Sequence, residues 1–102
     1  MGEASFQVLL ALAAGERHGY AILQEIARAG GRMGPATLYR TLERLLEQGW
    51  VEETAAPRGG TSRDERRRYY RITAAGKAAA RAETEHLAAL VRRAHARGWV
   101  RI

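Results

Sequence analysis

Near Gly49 the apolar periodicity of this 102-residue chain changes from 3.6 to 2, and that change restricts its folds more than any other feature. Upstream lie three amphipathic segments. From Ala4 to Ala13, residues Phe6, Leu9, Leu10 and Ala13 fall at i, i+3, i+4 and i+7, one face of a helix. Gly15 closes it, and Ala14-Gly15-Glu16-Arg17 is short enough to force a sharp change of direction. Gly19 opens a second helix with Ile22, Leu23 and Ile26 inward and Gln24, Glu25 and Arg28 outward; Gly30-Gly31 stops it. Gly34-Pro35 starts the third, with glycine as N-cap and proline at the first helical position. Leu38, Leu42, Leu45 and Leu46 form its buried stripe, and Gly49 stands where a left-handed residue ends a helix.

Downstream, Trp50-Val51-Glu52-Glu53 reads as a short strand and Arg67 to Thr73 as a second. The stretch from Pro57 to Asp64, with Gly59-Gly60 inside it, is no regular element, so the two strands form an antiparallel hairpin with a long basic tip. Tyr69 and Tyr70 alternate across the second strand, which predicts one packed on the helices and one facing outward. Thr73 is a natural N-cap for an Ala-rich helix over 74–97, a rod of about 35 Å. So small a domain cannot cover that rod along its length. The expected fold is mainly α with a small antiparallel β-hairpin. It is a winged helix-turn-helix of three helices and a two-stranded wing over 1–73, followed by a C-terminal dimerisation helix and tail over 74–102.

Charge is distributed unevenly along the chain. Residues 1–27 carry three glutamates against one arginine, a net −2, whereas 57–72 carry six arginines against two acids, a net +4. Residues 87–102 add four arginines and no acid. With an overall +6, this asymmetry favours a polyanionic partner. The absence of cysteine excludes disulfides, thiolate metal sites and thiol catalysis. His18, His86 and His95 are too dispersed to hold a metal, Ser5 and Ser62 lack a histidine at a motif spacing, and no glycine-rich phosphate loop is present. Neither an enzyme nor a bound cofactor is expected. No apolar run reaches membrane-spanning length and Met1-Gly2-Glu3 has no basic leader, so the expected location is cytoplasmic.

With the leucine stripe inward, 100° steps put Ala36, Thr37, Arg40 and Arg44 on the outer face of the third helix, with Glu43 and Glu47 in its later turns. A helix entering the major groove of DNA end-on needs small residues and donors at its front and acids further back. The competing reading is a solvated face on which Arg40 or Arg44 pairs with Glu43 or Glu47. In the hairpin tip, Arg58, Arg63, Arg66, Arg67 and Arg68 suit a minor groove or a phosphate backbone, or simply keep the loop soluble. Tyr39 sits at the margin of the leucine stripe, with its hydroxyl within reach of a phosphate or partly buried. In the last helix Ala80, Thr84, Leu87, Val91 and Ala94 recur at spacings of 4, 3, 4 and 3, a seam for lengthwise packing on a second copy. Packing back on its own domain is the alternative. Trp99 either folds back to cap the seam or sits at the partner surface.

The segments His18-Gly19-Tyr20-Ala21-Ile22, Gly34 to Arg40, Leu45 to Glu52 and Arg67 to Gly76, in this order, resemble the PadR-like bacterial transcriptional regulators, in particular short members with one C-terminal helix. The resemblance covers about residues 5–76. It implies a homodimeric repressor with the third helix in the major groove of double-stranded operator DNA and the wing tip at the adjacent minor groove. The candidate DNA-contacting residues are Pro35, Ala36, Thr37, Tyr39, Arg40, Arg44, Arg58, Gly60, Arg63, Arg66 and Arg67. The candidate dimerisation residues are Phe6, Ala80, Thr84, Leu87, Leu90, Val91 and Ala94. Some members release DNA on binding phenolic acids or planar hydrophobic drugs, which makes a small hydrophobic or phenolic effector a possible partner. Where multidrug-responsive members place a tryptophan in the last helix, this chain has Leu87. Two readings compete with DNA binding: a winged-helix module whose basic wing binds an acidic protein, and membrane association through 87–102. The second is not expected.

Overall fold

The structure, a computed structural model, describes residues 1–55 and 68–101. Among the described residues, four helices and three short strands run in the order α1 (Glu3–Leu12), β1 (Arg17–His18), α2 (Gly19–Arg28), α3 (Pro35–Glu47), β2 (Val51–Thr54), β3 (Tyr69–Ile72) and α4 (Ala74–Ala96). The winged-helix arrangement expected from the periodicity is present. Its helix starts and stops follow the anticipated chemistry: Gly34 is the N-cap of α3 with Pro35 in the first turn. Gly49 follows the C-cap at φ 74°, where a Cβ would be strained. The Trp50 amide there donates to the Leu45 carbonyl at 3.0 Å, closing the helix end.

The first helix packs differently from its expected stripe. Val8, Leu9, Ala11 and Leu12 are buried with Ser5, whereas Leu10 is 55% exposed and Ala13 is exposed. Alanines at 4, 11, 13 and 14 left two overlapping faces open, and contacts with α2 and α3 select the one through Ser5, Val8, Leu9 and Leu12. That face meets Ile22 and Ile26 of α2, Leu38, Leu42 and Leu45 of α3, Val51 of β2 and Tyr70 of β3 in one cluster. Phe6 is only half-buried at its rim.

The sheet holds a third strand that periodicity did not reveal. The strand order is β1-β3-β2, with Arg17 opposite Tyr70 and His18 opposite Tyr69 on one side of β3, and Val51 opposite Ile72 on the other. Two residues cannot display an alternation, so β1 is invisible to pattern reading. It has a consequence for the paired tyrosines: both are buried, Tyr69 to 7% and Tyr70 to 3% exposure, correcting the expectation that one faces outward. Tyr70 joins the core, while the His18 ring covers Tyr69 edge-on at 5.3 Å between centroids.

Thr73 links the sheet to α4. Its hydroxyl donates to the Gly49 carbonyl at 2.7 Å and accepts from the Gly76 amide at 3.0 Å, so one side chain ties the end of α3 to the start of α4. Gly76 lies so close to the Trp50 carbonyl that a Cβ there would collide with it. Only the beginning of α4 is packed in this way. The rest projects, which gives the molecule a 53 Å long axis and a radius of gyration of 15.4 Å, against roughly 13 Å for a compact chain of this size.

Candidate nucleic-acid interface

The outer face of α3 is assembled as its sequence implied. Pro35, Ala36, Arg40 and Arg44 are exposed, and Tyr39 is 50% exposed. Thr37 is half-buried; its carbonyl accepts the Thr41 hydroxyl at 2.7 Å, and its own hydroxyl accepts from Arg40 Nη2 at 3.4 Å. Among the described residues neither Arg40 nor Arg44 meets a carboxylate, so the competing picture of guanidinium groups tied to Glu43 and Glu47 does not hold. The front of α3 therefore offers uncompensated positive charge and donors on a rigid rod backed by three fully buried leucines. No side chain caps its first turn, whose free amides add partial positive charge.

Helix α2 supports α3 from behind. His18 is its N-cap, with Nδ1 accepting from the Ala21 amide at 3.1 Å. Arg17 fixes the approach to it, donating from Nε to the Ala11 carbonyl at 2.8 Å and standing 3.6 Å from Glu25. Tyr20, which sequence reasoning passed over, is 61% exposed at the second position of α2. The helical wheel alone would have found it, since it lies opposite Ile22 on that helix. The Tyr39 ring leans across from α3 onto the bare Cα of Gly19.

At the root of the wing, cross-strand ion pairs hold β2 to β3: Arg71 Nε donates to Glu52 Oε1 at 2.5 Å, and Arg68 stands 3.7 Å from Glu53. Thr54 donates to Glu16 at 2.7 Å, joining β2 to the turn before β1. Burial pushes the Tyr70 hydroxyl above the ordinary tyrosine value; the Glu53 carboxylate and then Tyr39 act in the same direction, and Arg68 opposes them in part. The wing candidates Arg58, Gly60, Arg63, Arg66 and Arg67 lie outside the described residues.

A second surface runs along α4. Leu87, Leu90 and Val91 are 37%, 42% and 37% exposed, Thr84 is exposed and Ala94 half-buried, whereas Ala80 packs against the core of its own domain. Beside them a groove of about 340 Å³ is bounded by Leu10 of α1, Ala13 at the end of that helix, and Ala80 and Thr84 of α4, with Lys77 and Arg81 also lining it. Trp99 is 81% exposed and lines a shallow depression with Leu90, Ala94 and two arginines, so it folds back beside the helix end. Among the described residues no three His, Asp or Glu side chains group to hold a metal, and no helix is long and apolar enough to cross a membrane.

Residues 8–82, from the second half of α1 to the first part of α4, match the PadR-like family of transcriptional regulators. The chain belongs to that family. Over 77 residues, 76% of this chain and 68% of its relative, it is 39% identical to the transcriptional regulator Rv3488 of Mycobacterium tuberculosis. It superposes with a TM-score of 0.82 on a PadR family transcription regulator from Clostridium difficile R20291, 17% identical, over 92% of this chain and 96% of the other. Bacillus subtilis PadR in complex with operator DNA superposes at 0.68 and 20% identity, over 82% of this chain and 48% of that one. Both likenesses show the fold.

Proposed function

We propose that this PadR-like regulator is a homodimeric repressor that reads operator DNA with α3 and is released by a small hydrophobic or phenolic effector. The observation that carries the reading is the front of α3, where Arg40 and Arg44 stand exposed with no carboxylate partner among the described residues. Arg40 presents two donors suited to a guanine edge. Pro35, Ala36 and Thr37 allow close approach, and Tyr39 reaches the backbone. The arginines and Gly60 of the wing address the adjacent minor groove. That Bacillus subtilis PadR, which shares this fold, forms a complex with operator DNA supports the DNA-binding part of the reading.

Pairing goes through α4. Leu87, Leu90 and Val91 are apolar and exposed, and burying each against a second copy yields on the order of 1 kcal/mol. Phe6, Ala80, Thr84 and Ala94 border that seam, and the groove between α1 and α4 receives the partner's helix. The effector binds along the same interface, where release of DNA and repacking of α4 are coupled.

The test is selection of duplexes from a random pool, followed by mobility shift and sedimentation. A selected sequence with two half-sites about one helical turn apart, bound by a dimer whose affinity falls steeply with salt, is the expected result. A chain that stays monomeric and retains no duplex at low salt overturns the reading.

A further inference from the structure

Gly19 is the residue over which the Tyr39 side chain of α3 lies. It opens α2, and its backbone is neither left-handed nor a turn, so conformational freedom does not explain the glycine. Space does. A methyl carbon on Gly19 would stand 2.5 Å from the Tyr39 hydroxyl oxygen, 3.1 Å from Cζ and 3.4 Å from Cε1. All three atoms belong to a single side chain of α3, and that side chain is half-exposed on the face that carries Arg40.

We propose that Gly19 is a positioning residue for DNA reading, a bare seat that holds the Tyr39 ring down along the start of α2 and so fixes the phenol beside Arg40. This rests on the DNA-binding role of α3 proposed above. Any side chain at 19 must displace the ring, because its hydroxyl end is the freest atom in the contact. A swung ring then projects from the front of α3 into the space the duplex occupies. The core is expected to be spared, since the three heavy atoms nearest to a carbon added at Gly19 all belong to the half-exposed Tyr39 side chain, and alanine is a better helix former than glycine.

Four full-length proteins decide the matter: wild type, Gly19→Ala, Tyr39→Phe and the double variant, each titrated against the duplex that wild type selects from a random pool. Thermal unfolding is followed in parallel. Gly19→Ala should keep its melting temperature and bind the selected duplex about tenfold more weakly, the scale of one lost contact. Tyr39→Phe removes the closest atom and the phenol contact together, so Gly19→Ala should cost nothing further in the Tyr39→Phe background. A glycine that acts independently of Tyr39 would instead show the two losses adding. Wild-type affinity for Gly19→Ala, a double variant that binds more weakly than Tyr39→Phe, or loss of folding in Gly19→Ala each overturns the proposal. Failure of wild type to select any duplex instead removes the DNA-binding reading on which it rests.

Discussion

On the proposed reading Arg40 and the wing arginines make different demands on DNA, and substitution separates them. A guanidinium that reads a base edge should cost about 1–3 kcal/mol on the selected duplex when removed, and far less on random sequence. Arg40→Ala is expected to behave in that way, whereas Arg66→Ala should weaken both duplexes alike, as a phosphate contact does. Mobility-shift titrations on the two duplexes check both, and equal losses for Arg40→Ala would remove its base-reading role. Tyr70 supplies a prediction about pH. In the folded chain its hydroxyl holds its proton above the ordinary value of 10.0, chiefly through burial. The unfolded chain ionises first as pH rises, so the contribution of Tyr70 is complete below pH 10 and is lost above it. Urea unfolding of wild type should therefore weaken more steeply above pH 10 than that of Tyr70→Phe. Parallel curves would contradict this. The arginine front of α3 was legible from helical spacing alone. The Gly19 seat was not, because it depends on two residues twenty positions apart meeting across a turn.

Between elements, the joint at Thr73 and Gly76 carries more than its size suggests. Gly76→Ala drives a methyl into the Trp50 carbonyl, a backbone atom that cannot swing aside. The expected cost is about 2–3 kcal/mol, a drop of roughly 10–20 °C in melting temperature for a domain of this length. An unchanged melting curve would show that α4 is not seated on the end of α3. The cap at Thr73 was readable in advance, since a hydroxyl before an alanine-rich run is a local signal. So were the bounds of α3, with proline at its start and glycine past its end. What stayed hidden has a common physical cause. The buried face of α1 and the pairing of β1 are chosen by other elements: an alanine-rich helix tolerates either face, and a two-residue strand has no period. Tyr69 follows from β1, because only a third strand brings His18 over its ring.

For the whole molecule, the proposed assembly rests on the apolar side of α4. Leu87→Arg places a charge where a second copy is expected to pack. It should leave the helical spectrum intact, convert the sedimenting species to a monomer and lower operator affinity, since one chain grips one half-site. A variant that sediments like wild type would move the interface elsewhere. The sheet has an effect on a larger scale. Thr54 stands opposite Tyr69, and the register continues without a break to Val51 and Ile72, so the chain leaves β2 and re-enters β3 one strand spacing apart. An insertion between those two points does not alter the β2–β3 register, and the entropy of closing a longer excursion grows only logarithmically. A change in the length of the stretch between the two strands is therefore expected to leave the pairing of β2 with β3 as it is.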